Sequence, residues 1–101
     1  MNQGHFVIET YMSEDGKSWW RKYSDGWIEQ GGEGQFNAEG TQYNPVTTLV
    51  TPFSNTNYVV FAACTPSGWS RGVITHSLTE TTFKAGTGSG TGTFRYYACG
   101  Y

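Results

Sequence analysis

Trp69, Ser70 and Arg71 stand consecutively in a segment broken by Pro66, Gly68 and Gly72. An indole beside a guanidinium and a hydroxyl suits a sugar. The ring covers the apolar C–H face of the sugar while the polar groups exchange directed hydrogen bonds with its hydroxyl rim. Tyr43 and Asn55, both in polar turn segments, would line the edge of the same kind of site. A structural reading of Trp69 stands beside this one, in which the indole folds back to cap a thin core.

Catalytic groupings are scarce. His5 and His76 are the only histidines, and neither stands in a metal-binding spacing such as His-x-His or His-Glu-x-x-His. Of the 8 carboxylates, Asp15 and Asp25 each precede a glycine and belong to turns. A glycosidase needs two facing carboxyls at a defined separation, and Glu9 with Glu29 is the pair that such a reading would require. The glycines at 86, 88, 90 and 92 lack the Lys-Ser/Thr of a phosphate loop. These patterns point to binding without catalysis, cofactor or metal.

The elements that must hold these residues are strands. The chain has 101 residues, 14 glycines, 17% aromatics and only 14% charged residues, with two leucines, so burial must come from Trp, Tyr and Phe on short strands joined by tight turns. A body of this size buries only about 65% of the surface its unfolded chain exposes. One domain over residues 1–101 is expected. The net charge of −2 and scattered Lys and Arg give no footprint for nucleic acid. No apolar run approaches the ~20 residues of a membrane span, and the polar N-terminus has no signal-peptide pattern. Cys64 and Cys99 fit no zinc or redox motif, and are expected as buried reduced thiols rather than a disulfide.

Alternation predicts strands over residues 6–12, 18–23 and 27–30, forming a meander. Asp25-Gly26 is its second turn, read as a two-residue type I′ link. Trp19, Arg21 and Tyr23 share one face there, and Trp20 and Lys22 the other. The adjacent tryptophans cannot both enter one core, so one of them is expected at a subunit interface. Residues 31–40, rich in glycine, read as a loop or an irregular edge segment, with a flexible connection favoured. Strands follow over 46–51, 58–64, 73–78, 82–85 and 93–101, with 58–64, the most continuously apolar, expected mid-sheet and covered on both faces. Residues 86–92 read as a mobile loop. On the last strand Tyr97, Cys99 and Tyr101 share a face opposite Phe94, Tyr96, Ala98 and Gly100, and the small pair Ala98 and Gly100 leaves room for another backbone or sheet to approach closely, a place for a neighbouring subunit. About eight strands give an all-β, small antiparallel sandwich or flattened barrel.

Three pieces taken together resemble a known family. They are Lys22-Tyr23-Ser24-Asp25-Gly26-Trp27-Ile28-Glu29-Gln30-Gly31-Gly32, then Thr51-Pro52-Phe53-Ser54 with Tyr58-Val59-Val60-Phe61-Ala62-Ala63-Cys64, and the terminal Phe94-Arg95-Tyr96-Tyr97-Ala98-Cys99-Gly100-Tyr101. In that order, across roughly residues 18–101, they resemble the C-terminal domain of bacteriophage tail fibres, whose members are similar to the H-type lectins. The residues before Ser18 match only loosely, and the fibrous shaft that precedes such a domain has no counterpart here, so an excised or reduced version is expected. The resemblance implies a homotrimeric receptor-binding tip, made in the host cytoplasm and carried on the virion, that contacts a bacterial surface glycan or outer-membrane protein. Two alternatives are a trimerisation or capping module of a fibre shaft and a free-standing H-type-like lectin.

Overall fold

The computed structural model describes residues 5–37, 44–64, 73–86 and 91–101, with the side chains of Asn37, Cys64 and Thr91 left aside. Among them eight strands and no helix occur: β1 (Val7–Met12), β2 (Trp19–Tyr23), β3 (Ile28–Asn37), β4 (Val46–Thr48), β5 (Val59–Cys64), β6 (Ile74–His76), β7 (Thr82–Gly86) and β8 (Thr91–Gly100). They form a five-stranded sheet in the order β1-β2-β3-β8-β5 and a three-stranded sheet in the order β4-β7-β6. Every pairing is antiparallel. The expected all-β sandwich is what forms.

The sheets meet over a core of Phe36, Phe94, Tyr96 and Ala98 from the larger one against Phe83, Ala85, Leu49, Phe53 and Tyr58. Aromatics do most of the filling, as the composition requires. Phe83 stands edge-on to Tyr96 at 5.1 Å, and Phe53 stacks on Tyr58 at 4.3 Å. Tyr58 directs its hydroxyl at the Thr79 carbonyl, 2.7 Å away, which ties this side chain to the β6–β7 connection.

The first three strands form the meander read from the sequence. Its second turn differs in kind. Gly26 N–H donates to Tyr23 O and Tyr23 N–H to Trp27 O, so three residues close the hairpin, and only Gly26, at φ +96°, takes the left-handed conformation. A type I turn followed by a left-handed glycine gives this geometry; Asp25 keeps a negative φ because its carboxylate caps the turn instead, accepting from Trp27 N–H at 3.1 Å. In the first turn Asp15 accepts from Ser13 Oγ at 2.7 Å and Lys17 N–H at 3.0 Å.

The Lys17 N–H bond holds the Asp15 carboxyl below its ordinary value. For Asp25 the His5 contact, at 2.8 Å, is the larger cause, and Trp27 N–H adds to it. A carboxyl lowered in the folded chain stabilises it above the unfolded value of about 3.9 and loses that contribution as pH falls. The Lys17 and Trp27 amide resonances are therefore expected to titrate with midpoints below about 3.9. A midpoint at or above that value in an NMR titration would remove the caps from this account.

Four expectations are corrected. Residues 31–37 are not loop but the second half of β3, paired along its length with β8; 38–40 lie outside the described residues. The glycines suit this strand because neighbours occupy their side-chain space. A Cβ on Gly34 would lie 2.5 Å from Phe94 Cζ and 2.6 Å from Thr47 Oγ1, and one on Gly31 would run into the Trp19 indole.

Residues 58–64 do not lie mid-sheet. β5 is an edge strand, with Val60 and Ala62 inward while Val59 and Phe61 are 48% and 65% exposed. Another backbone does approach closely at Gly100, where a Cβ would meet Tyr58 Cβ at 2.6 Å and its Cα at 2.8 Å, but it belongs to this chain's own core rather than to a neighbouring subunit. Finally, Gly86 ends β7 and Gly92 lies in β8, so the glycine-rich segment has strand at both ends, with 87–90 outside the described residues.

The register also bears on the thiols. Cys64 pairs with Phe94 and Cys99 with Val59, five residues apart along β8. At about 3.3 Å per residue that separation is more than twice the reach of a disulfide, so the two cannot bridge within one chain. Cys99 is a free thiol, but it is half-buried on the outer face of the sheet rather than buried as expected.

Candidate functional site

On the outer face of the five-stranded sheet the register aligns Met12, Trp19, Gly31, Tyr97 and Phe61 in one row across all five strands. Strands spaced about 4.8 Å apart make this row about 19 Å long. The bare backbone of Gly31 lets the Trp19 indole lie over it and approach Tyr97, with ring centroids 5.9 Å apart. Met12 is 66% and Tyr97 38% exposed. Beside Phe61 and Tyr97, with Arg95 and Ala63, the surface dips into a shallow groove of about 320 Å³.

Polar groups flank the row on both sides. On one side the next row is Thr10, Arg21, Glu29, Cys99 and Val59. Glu29 Oε1 accepts from Tyr23 OH at 3.0 Å and from Arg21 Nη1 at 3.3 Å. The Arg21 guanidinium lies 5.4 Å from the Trp19 ring centroid. On the other side Glu33 lies 3.8 Å from Lys17 Nζ and 3.7 Å from Arg95 Nε. The result is an apolar stripe between two lines of fixed donors and acceptors. Such a surface matches the make-up of ligands having both an apolar face and a polar edge.

Burial, then the Glu29 charge, pushes the Tyr97 phenol up to about 12; burial alone is the larger cause for Tyr96, also about 12. Burial followed by Glu29 likewise raises the Cys99 thiol. A phenol raised in the folded chain stabilises it below the unfolded value of about 10, and this is lost as pH rises toward 12. In an NMR titration the Tyr96 and Tyr97 ring resonances are expected to show no ionisation until the pH approaches 12. Ionisation of either one near the unfolded value of about 10, with the fold intact, would contradict its burial.

Of the residues picked from sequence, Trp69, Ser70, Arg71 and Tyr43 lie outside the described residues. Asn55 is described, and its Oδ1 accepts from Asn57 N–H at 2.8 Å, closing its own turn. Glu9 pairs opposite Lys22 and Glu29 opposite Arg21, so the two carboxyls lie on opposite faces of the sheet and do not form a facing pair. The string Gly68-Trp69-Ser70-Arg71-Gly72 has the Gly-x-Ser-x-Gly spacing of a nucleophile elbow and lies outside the described residues. His5 stacks on Tyr23 at 4.4 Å. His76 Nε2 lies 2.8 Å from Asn44 Oδ1.

Tyr97, Phe61 and Met12 were not singled out from sequence as site residues, and Glu29 only as half of a carboxylate pair with Glu9. Alternation placed Trp19 with Arg21 and Tyr97 with Cys99, but only the pairing of β3 with β8 brings those two faces together.

No protein-family model matches the chain, and no curated protein matches it. Two solved structures do, both from R2 pyocin tail fibres. An N-truncated R2-type fibre superposes with a TM-score of 0.68 at 22% identity, over 93% of this chain and 38% of that one. A C-terminal fragment of the P. aeruginosa R2 fibre gives a TM-score of 0.68 at 22% identity, over 93% and 26%. The chain shares its fold with a segment of these tail fibres. It spans well under half the length of either.

Proposed function

We propose that this chain is a receptor-binding domain of a tail fibre, acting as an adhesin for a bacterial surface glycan or an outer-membrane receptor. The observation that carries the reading is the exposed aromatic row flanked by fixed polar groups, on a fold shared with tail fibres. The role is binding rather than catalysis, and its place is on the virion. Trp69, Ser70 and Arg71, with Tyr43 and Asn55, are proposed as further contacts, and loss of binding on Trp69→Ala and Arg71→Ala would assign part of the ligand to them.

Binding of the labelled domain to a panel of bacterial cells tests the proposal. Saturable binding to particular strains, competed by unlabelled domain, is the expected result, and no binding to any strain would overturn it.

Homotrimeric assembly is part of the same proposal. Every residue of β1 is exposed, and Phe6, Ile8 and Tyr11 leave large apolar surface open at that edge of the sheet. Tyr11 stacks on Trp20 at 5.9 Å on the inner face, beyond the smaller sheet. The adjacent tryptophans thus find partial cover on opposite faces, and a neighbouring copy would complete it for Trp20. Light scattering is expected to give about three times the chain mass, and a monomer at micromolar concentration would count against it. The same surface favours a second reading, a module that registers or caps the strands of a trimeric shaft. That reading predicts a trimer that binds no cell.

A further inference from the structure

The geometry points to Glu29 as the positioning residue of the outer face: a single carboxylate oxygen on the middle strand holds the Arg21 guanidinium and the Tyr23 hydroxyl where a receptor would meet them. This rests on the receptor-binding reading and names the residue on which the order of that face depends.

Trp19, Arg21 and Tyr23 alternate along the outer face of β2, and β3 supplies what holds each of them. Trp19 lies over the bare backbone of Gly31. Arg21 Nη1 and Tyr23 OH both donate to Glu29 Oε1, at 3.3 and 3.0 Å. The register sets Glu29 directly opposite Arg21 on one side and Cys99 on the other, so the carboxylate rises from the centre of the sheet. Its side chain is 20% exposed, against 32% for Glu33 and 37% for Asp25, which makes it the most enclosed carboxylate of the ion pairs among the described residues.

The Arg21 side chain is 46% exposed. An ion pair with so open a guanidinium adds little to stability, so its main consequence is where the guanidinium sits. A free arginine samples many rotamers, and that freedom must be given up when a ligand binds. Held by Glu29, the guanidinium stays 5.4 Å from the Trp19 ring centroid and still has N–H groups beyond the one it gives the carboxylate. Tyr23 is fixed at two points, by its hydroxyl on the same oxygen and by its ring, which stacks on His5 at 4.4 Å. The two donors share one acceptor, so removing it releases both together.

The same charge reaches the next strand. After burial, Glu29 is the second cause that raises the Tyr97 phenol and the Cys99 thiol, both on β8. One carboxylate therefore acts on the outer side chains of both neighbouring strands.

The test uses the whole labelled domain with Glu29→Ala, Arg21→Ala and the double variant, and a thermal melt verifies that each is folded. Glu29→Gln, which keeps the volume, repeats the series and is expected to couple in the same direction. One readout is NMR relaxation at Arg21 Nε–H, where an ordered side chain in the parent chain is expected to fall below an order parameter of about 0.6 in Glu29→Ala. The other is binding to intact bacterial cells. Arg21→Ala is expected to weaken it at least tenfold in the parent chain and less than threefold beside Glu29→Ala, since an unheld guanidinium contributes little. Additive costs, as direct contact of each residue with the receptor or a merely structural Glu29 would give, would overturn the positioning role. So would an Arg21 that stays ordered without Glu29. Loss of Arg21 order in Glu29→Ala from a domain that binds no strain would overturn the receptor-binding reading alone.

Discussion

Gln30→Ala is expected to destabilise the fold by about 3–5 kcal/mol, because it orphans two buried backbone groups at once, each worth about 1–3 kcal/mol, and leaves a cavity. Gln30 is fully buried on the inner face of β3. Its Nε2 donates to Thr51 O at 2.8 Å, and its Oε1 accepts from Thr51 N–H at 3.0 Å. This amide does for the irregular stretch after β4 what a neighbouring strand does elsewhere, supplying both a donor and an acceptor. Gln30→Leu restores most of the volume but neither bond, so it should fall between Ala and the parent chain. Urea unfolding with an unchanged m-value measures the series. If Leu proved as stable as Gln, the amide would contribute only packing and the argument from unsatisfied groups would fail.

Phe94→Ala is the second large effect. Phe94 is fully buried, at centroid distances of 6.1 Å from Phe83 and 6.5 Å from Tyr96, and its ring lies over Gly34 of the neighbouring strand. Removing a buried phenyl ring costs about 3–5 kcal/mol, against the roughly 5–15 kcal/mol that holds a domain of this size. A fall of roughly 15–30 °C in Tm follows. The ring and the glycine are also coupled. Gly34→Ala should be costly in the parent chain, where its Cβ meets both the ring and Thr47 Oγ1, and less costly beside Phe94→Ala, where only the Thr47 contact remains. Additive costs in that double-mutant cycle would contradict the steric account of Gly34.

These two residues also mark what could be read from the sequence. Phe94 was legible, since period-two alternation over the last strand separates it with Tyr96 and Ala98 from Tyr97 and Cys99, and the structure buries the first set. The opening hairpins were legible for the same reason, helped by Gly16 and Gly26, both at positive φ. The buried pairing of Gln30 with Thr51, 21 residues away, leaves no local pattern.

Residues 31–37 were misread because glycine-rich sequence signals a loop when neighbours are unknown. Here the missing side chains are replaced by Trp19 and Phe94 from adjacent strands. The strand over 58–64 was misplaced because continuous apolarity does not separate a strand covered on both faces from an edge strand whose outer residues are exposed. That second case is also why Phe61 escaped notice as a site residue. Its place beside Tyr97 depends on β5 pairing with β8, a contact between segments more than 30 residues apart. The candidate site is thus assembled from faces that alternation reveals one strand at a time, and the sheet order that joins them comes only from the fold.

The central claim is that the outer face of the five-stranded sheet is the binding face. Its most direct test is NMR mapping of the labelled domain against polysaccharide purified from the cells that the domain binds. The account predicts shifts concentrated at the Trp19 indole N–H, Gly31, Phe61 and Tyr97, with Phe83 and Phe94 little changed. Shifts clustered on the outer face of the smaller sheet, around Ile74, His76 and Lys84, with the row unmoved, would contradict it.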